Sequence, residues 1–193
     1  MCSKYLALLA GVVLTLTGCS ARQLVRPGEL YEGELINIRA PTSWGWLLMQ
    51  MDHNGVTFIR GNSSTDTSYV AQIMAFHEPP MNTSDELLAS FKTVTEQNQL
   101  AHSRYKKPLE LHFEITSERP YPCVRLRGTV EDLKAVMLDG TVGSASLYIR
   151  SFYCQHPTKR DFQFLIMYSQ RGGPPDPNLD SQAQSFINGI QVP

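Results

Sequence analysis

The feature that most constrains the fold is the strict alternation of apolar and polar residues in the second half of the chain. Residues 109–116 alternate without exception, and residues 123–131 repeat the pattern. A period of two is typical of β-strands that bury one face. Residues 146–155 and 162–170 are rich in β-branched and aromatic side chains, which strands also favour. The sequence therefore predicts a run of four strands in this half.

The first half of the chain predicts further strands. Residues 35–39, 56–60 and 69–77 have strand character, and an Asn-Gly dipeptide at 54–55 favours a hairpin turn. Residues 44–51 are apolar on both faces, which indicates a central strand covered on both sides.

Two helices complete the expected fold. Thr83 and Glu86 have the spacing of a capping box, and an apolar stripe at helical spacing follows them as far as Val94. Residues 179–188 predict a second helix with an apolar face. We therefore expect an α+β fold, mainly an antiparallel β-sheet with one central and one C-terminal helix packed on it.

The N-terminal residues carry a targeting signal. Lys4 precedes an apolar stretch at 6–14 that is too short to span a bilayer. The segment Leu16-Thr17-Gly18-Cys19 then resembles the lipobox of bacterial lipoproteins. This resemblance implies that residues 1–18 are a cleaved signal peptide and that Cys19 is the lipidated first residue of the mature protein. The alternative is an ordinary signal peptide that contains a cysteine by chance.

The same resemblance predicts the location of the protein. In enterobacterial lipoproteins an Asp after the lipidated cysteine favours retention in the inner membrane, and here Ser20 occupies that position. We therefore expect a lipid anchor on Cys19 in the outer membrane, with the protein facing the periplasm. Residues 19–28 are interpreted as the lipidated cysteine and a tether, and residues 29–193 as a single globular domain.

Charge and cysteine content bear on two further questions, a nucleic-acid partner and a disulfide. The whole chain has a net charge of −1 and no basic run, so we predict no nucleic-acid partner. Cys123 and Cys154 are the two cysteines of the mature domain. In an exported protein such a pair predicts a structural disulfide, and two buried free thiols are the alternative.

The order of the predicted elements is hairpin, strand, helix, four-strand meander and terminal helix. With Ala40-Pro41 and Trp44 at the entry to a strand, and with the ending at residues 185–190, it resembles the PsbP-like fold. That fold is shared by photosystem-II extrinsic proteins and by DcrB-like bacterial envelope lipoproteins. The resemblance implies a scaffold or binding role and supplies no catalytic residues or cofactor.

One polar cluster is a candidate metal or catalytic site. Glu110, His112 and Glu114 share a strand face and could hold a metal or act as an acid–base group. The alternative is a solvated polar face, on which Glu114 would oppose Arg125 and His112 would lie near Arg127 if the two strands form a hairpin. We favour the solvated face, and we predict no metal and no cofactor.

Trp44 and Trp46 are the candidate binding residues. Placed two residues apart on a predicted strand, they would share a face and could form an exposed aromatic platform for a glycan or peptide. The alternative is that both belong to the hydrophobic core.

The sequence thus supports two functional hypotheses. The leading one is a non-enzymatic, envelope-anchored lipoprotein that binds an envelope protein or a cell-wall partner. The second is a small periplasmic hydrolase that acts on envelope material, with His77, His112 or His156 as its base.

Overall fold

The structure is a computed structural model, and it describes most of the chain after the predicted signal. The described residues are 23–52, 55–62, 66–99, 104–106, 110–137 and 139–193. The predicted signal peptide of residues 1–18, the lipidated Cys19 and residues 20–22 lie outside them. In the described part of the chain, no helix is long and apolar enough to cross a membrane.

The described elements are mostly strands. In chain order they are β1 (Gln23–Leu24), β2 (Leu30–Tyr31), β3 (Asn37–Arg39), β4 (Leu47–Asp52), β5 (Gly55–Asn62), β6 (Thr67–His77), α1 (Ser84–Thr93), β7 (Glu110–Thr116), β8 (Cys123–Val136), β9 (Val142–Gln155), β10 (Phe162–Arg171), α2 (Leu179–Asn188) and β11 (Ile190–Gln191). A π-helix, Val94–Gln99, continues α1.

An eight-stranded antiparallel sheet dominates the molecule. Its strand order is β1-β4-β5-β6-β10-β9-β8-β7, and β11, β3 and β2 form a second, small sheet. The predicted α+β, PsbP-like fold is wrong, because the described chain is a β-rich fold whose long sheet outweighs two ten-residue helices. The alternating pattern predicted strands that are shorter than those in the structure. Backbone pairing carries β8 and β9 to 14 residues each, past the residues whose side chains alternate.

The two faces of the large sheet carry different helices. On one face, which we call the α2 face, α2 packs on β10 beside the small sheet, and Trp46, Phe58 and Tyr168 are fully buried. On the opposite face, the α1 face, α1 lies across β7, β8 and β9 and buries Leu87 and Phe91. Each face is therefore a separate hydrophobic core.

The sequence signal at the start of α1 is confirmed. The Thr83 hydroxyl accepts a hydrogen bond from the Glu86 N–H at 3.1 Å, as an N-cap residue does. The Glu86 carboxylate accepts in return from the N–H of Asn82, one residue before the cap. The C-terminal helix predicted at residues 179–188 is also confirmed, because α2 spans Leu179–Asn188.

Part of the predicted tether of residues 19–28 pairs and packs with the domain, and residues 19–22 of it lie outside the described residues. Gln23–Leu24 pair with Leu47 and Leu48 of β4, and Val25 is buried in the α2-face core. Among the described residues, the chain therefore takes part in the fold from Gln23 onward, four residues after Cys19.

The strand 44–51 is not the central strand that was predicted. β4 begins only at Leu47, lies next to the sheet edge and has mostly exposed side chains. Its apolar residues are therefore not evidence of burial on both faces.

Cys123 and Cys154 form a disulfide, so the predicted pairing is present in the structure. They lie directly opposite each other where β8 begins and β9 nearly ends. The Gln155 N–H donates to the Pro122 carbonyl in the neighbouring pair, so the cysteines occupy a non-hydrogen-bonded pair, the more closely spaced kind. Their Cα atoms are 4.2 Å apart, slightly below the range of about 4.4–6.8 Å that is usual for disulfides.

Candidate functional site

The two tryptophans are not a platform. Trp44 is 72% exposed whereas Trp46 is fully buried, with its indole N–H donating to the Ser43 hydroxyl at 2.9 Å. Gly45 lies between them with φ near +90°, a conformation that removes the strand alternation on which the shared face depended. The expectation that both side chains lie on one face is wrong.

The Glu110, His112 and Glu114 cluster lies on β7, the edge strand, and all three side chains are exposed. The predicted cross-strand register is confirmed, because Glu114 opposes Arg125 and His112 opposes Arg127. The Arg125 guanidinium lies 2.8 Å from the Glu114 carboxylate. Among the described residues, no group of three His, Cys, Asp or Glu side chains is placed to hold a metal ion.

The three histidines proposed as bases, His77, His112 and His156, have different surroundings. His77 is exposed and lies 3.2 Å from the Asp161 carboxylate. His156 is buried, and its Nδ1 accepts from the Lys159 N–H at 3.0 Å while its Nε2 lies 3.3 Å from the Leu35 carbonyl. Backbone N–H groups only donate, so Nδ1 is unprotonated and Nε2 is the donor. His156 thus links two loops and has no ring nitrogen left to act as a base.

Sequence reasoning missed a pocket on the α1 face. It has a volume of about 290 Å³ and lies where the cover provided by α1 ends. Side chains of β6, β8, β9 and β10 form its floor, Phe91 of α1 and Thr95 of the π-helix form one wall, and Tyr105 forms another. Most of the lining is apolar, and no lining residue in the described part of the chain is charged.

Two hydroxyl groups in this pocket have no partner among the described residues. Ser151 is 2% exposed and Thr95 is 1% exposed, and in that part of the chain neither side-chain oxygen has a hydrogen-bond partner. Ser151 lies in the middle of the sheet, between Met167 of β10 and Leu126 of β8. An unsatisfied buried hydroxyl costs about 1–3 kcal/mol, so two of them in one pocket require an explanation.

The walls of the pocket are built from adaptable elements. Met74 and Met167 line it, and methionine side chains adjust readily to irregular shapes. Thr95 belongs to the π-helix, a form that is rare and occurs often at functional sites. Phe91 is held in place by stacking on Tyr153, with ring centroids 4.8 Å apart.

A buried carboxylate fixes the wall that contains Tyr105. The Arg104 guanidinium donates twice to the Asp132 carboxylate, at 2.7 and 2.6 Å, and Asp132 is buried. The Lys106 N–H donates to the Glu131 carbonyl, and Tyr105 forms a β-bridge with Asp132. These bonds hold residues 104–106 against β8. Burial alone would raise the pKa of Asp132, but the hydrogen bonds from Arg104 and from the Lys134 N–H lower it.

We expect Asp132→Asn to lower the free energy of unfolding by about 2–3 kcal/mol at neutral pH, because it removes a charged partner from two hydrogen bonds. The folded-state pKa of Asp132 is lowered, so its contribution is complete above the unfolded-state pKa, near about 4, and is lost as the pH falls through the folded value. The difference between wild type and variant in urea unfolding should therefore shrink below about pH 4.

The neighbouring exposed pair provides the matched control. Glu131 lies 2.9 Å from Lys106, and the two side chains are 37% and 66% exposed, whereas Asp132 is buried. We expect Glu131→Gln to change the stability by less than about 0.5–1 kcal/mol. Equal effects of the two substitutions would contradict the role given to Asp132.

A second pocket of about 200 Å³ lies on the α2 face. It is formed by the segment from Tyr31 to Ile38 and by β4, β5 and β6, and Ala75 lies in its wall. Glu32, Glu34 and Asp52 contribute to its lining, so it differs in charge from the pocket on the α1 face.

Comparison with known proteins adds little. No protein-family model matches the chain, and no curated protein matches it. Among solved structures, the chain is similar to the human StarD13 (DLC2) lipid transfer and protein localization domain, with 10% sequence identity and a TM-score of 0.30. That likeness covers 75% of this chain and 84% of that chain. At this identity and TM-score, it supports no statement about the fold or the function of the present chain.

Proposed function

We propose that the chain is an envelope lipoprotein whose domain is a non-enzymatic binding module for a small, uncharged amphipathic molecule. The resemblance of residues 16–19 to a lipobox supports the lipid anchor, and Ser20 after the cysteine supports the outer membrane, facing the periplasm, as its place of action. The observation that carries the binding role is the pair of buried, unpartnered hydroxyls of Ser151 and Thr95 in an otherwise largely apolar pocket. The protein or cell-wall partner expected from the sequence stays a prediction.

The chemistry of the pocket indicates the class of ligand. An uncharged, mostly apolar lining cannot compensate a buried charge, so the enclosed part of the ligand is neutral. A carbonyl or a hydroxyl on the ligand could pair with the Ser151 hydroxyl on the sheet or with the Thr95 hydroxyl on the π-helix. The volume of about 290 Å³ lies at the small end of the range for ligand pockets, and a cavity of about 150 Å³ suffices for benzene.

The binding of prodan, a neutral fluorescent ketone, tests this proposal on the full chain in detergent micelles. We expect saturable binding of one probe per chain and its loss in Ser151→Phe, because the ring occupies the pocket. Ser151→Ala leaves the space but removes a donor, so it should weaken binding about tenfold. The same change should raise the stability of the unliganded protein by about 1 kcal/mol, because it removes an unsatisfied buried hydroxyl.

Ala75→Phe is the matched control, since it places the same ring in the pocket on the α2 face. It should leave prodan binding unchanged. Equal binding by wild type and Ser151→Phe would contradict the proposed site. An unchanged or lower stability of Ser151→Ala would indicate that a bound water satisfies the hydroxyl, which would remove the observation on which the proposal rests.

A further inference from the structure

A row of apolar side chains crosses the α1 face on the side of the sheet that α1 does not cover. Leu24 of β1 pairs with Leu47 of β4, Leu47 pairs with Ile59 of β5, and Ile59 pairs with Val70 of β6. We call these four residues the apolar row. Neighbouring strands are about 4.8 Å apart, so the row is about 14 Å long.

The apolar row is accessible in the described structure. Leu24 is 60% exposed, and Leu47, Ile59 and Val70 are half-buried. None of the four belongs to either hydrophobic core, because α1 packs on β7, β8 and β9 at the other end of the sheet.

The surface around the row carries no charge on β5 and β6. On the α1 face, the alternate residues of β5 from Gly55 to Gly61 and of β6 from Ser68 to Phe76 are all uncharged. A partly exposed sheet face normally carries charged side chains, which keep it hydrated. The part of this face that β5 and β6 form can instead lose its water at low cost, since it has no charge to desolvate. Arg171 of β10, opposite Ser68, borders this part and lies 3.6 Å from the Asp132 carboxylate.

The apolar row leads to the pocket. Val70 pairs with Ser169 of β10, and the next pair along the same two strands is Gln72 and Met167, which both line the pocket. One surface therefore connects the edge strand β1 with the pocket on the α1 face.

The position of the anchor favours one occupant for this surface. Leu24 follows Cys19 by five residues, and a fully extended chain of that length spans at most about 18 Å. Acyl chains on Cys19 would therefore hold the row within reach of the bilayer, at a high effective concentration. A second protein would have to compete with that bilayer for the same surface.

We infer that the apolar row lies on the membrane that holds the anchor, so that the pocket opens toward the lipid and takes its ligand from the bilayer. This inference rests on the proposed anchor and pocket. It names the source of the ligand, an amphipathic molecule already dissolved in the lipid phase, and it assigns the apolar row with the uncharged part of β5 and β6 as the contact with the headgroup region.

Fluorescence quenching on the reconstituted full chain tests the inference. Thr57 lies beside the row on the α1 face, and Ser185 lies exposed on α2, on the opposite side of the sheet. In Thr57→Cys or Ser185→Cys the new thiol is free, whereas Cys19 is acylated and Cys123 is bonded to Cys154. Each protein is labelled with an environment-sensitive dye and placed in phosphatidylethanolamine–phosphatidylglycerol vesicles that contain a spin-labelled phosphatidylcholine.

We expect the spin-labelled lipid to cause a loss of fluorescence at position 57 and none at position 185. Introducing Leu24→Asn into the Thr57→Cys protein should reduce that loss, while prodan binding in micelles stays unchanged. Quenching at both positions alike, or at neither, would overturn the membrane contact. Self-quenching between labels at position 57 would show that a second copy covers the row and would also overturn it.

The same samples separate this inference from the function on which it rests. Failure of the chain to enter vesicles would contradict the anchor, and failure to bind prodan in micelles would contradict the pocket. Normal insertion and normal prodan binding without quenching at position 57 would overturn only the membrane contact.

Discussion

Reduction of the disulfide between Cys123 and Cys154 is expected to lower the free energy of unfolding by about 2–4 kcal/mol. The two cysteines are 31 residues apart, so the bond removes much of the freedom of that loop in the unfolded chain. It also fixes the register of β8 against β9 where the two strands meet. Urea unfolding followed by circular dichroism, with and without reductant, measures the effect.

Reduction should leave prodan binding unchanged in the native protein. Both cysteines belong to the core of the α2 face, whereas the pocket lies on the α1 face. The double variant Cys123→Ala/Cys154→Ala controls for the reductant, which should not affect its stability. Two free thiols in protein purified from the envelope, or an unchanged urea midpoint after reduction, would contradict a structural disulfide.

The second large effect concerns the anchor, since Cys19→Ala should release the protein from the membrane fraction. Each buried methylene contributes about 0.8 kcal/mol, and two or more acyl chains give stable anchoring that the variant lacks. The described fold begins at Gln23, so the substitution should leave its stability unchanged. Fractionation of cells after a high-salt wash, with an immunoblot of both fractions, is the measurement.

Ser20→Ala provides the matched control for Cys19→Ala, because it alters the adjoining residue and keeps the acceptor thiol. It should remain in the membrane fraction. Recovery of most of the Cys19→Ala protein in washed membranes would contradict the lipid anchor and would leave the apolar row without its nearby bilayer.

Local patterns predicted the second half of the sheet well, because they reflect physics that acts between neighbours in the chain. The alternation in residues 109–116 and 123–131 identified β7 and β8, and the turn between them placed Glu114 opposite Arg125. The position of Cys154 near the end of β9 followed from the same pairing. Once a hairpin closes, the period of two fixes which side chains meet.

The N-terminal half was less predictable, because its strands depend on distant partners. β2, β3 and β11 have two or three residues each, and β3 pairs with β11 from the other end of the chain. Trp44 was wrongly placed on the same face as Trp46. The positive φ of Gly45 interrupts the alternation of side chains between the two, and a hydropathy pattern does not reveal it. The α+β assignment failed for a related reason. Very short strands, and the parts of long strands that continue beyond the alternating residues, give no clear sequence pattern, so the strand content was underestimated.

The pocket was missed because it depends on where α1 ends above the sheet. One signal was nevertheless present in the sequence. Leu147, Ile149, Ser151 and Tyr153 alternate on the α1 face, and Ser151 is the polar residue in that inward series. A serine at an inward position of a central strand indicates either a buried hydrogen bond or a polar point in a binding site. The sequence could not decide between them, since the partners of Ser151 come from other strands.

Native mass spectrometry of the full chain, purified from the envelope in mild detergent, tests the central claim most directly. The account predicts one small uncharged molecule bound per chain in the wild type and in Ala75→Phe, and its absence in Ser151→Phe. A wild-type spectrum without such an adduct, or the same adduct in Ser151→Phe, would contradict the claim that the pocket on the α1 face holds the ligand.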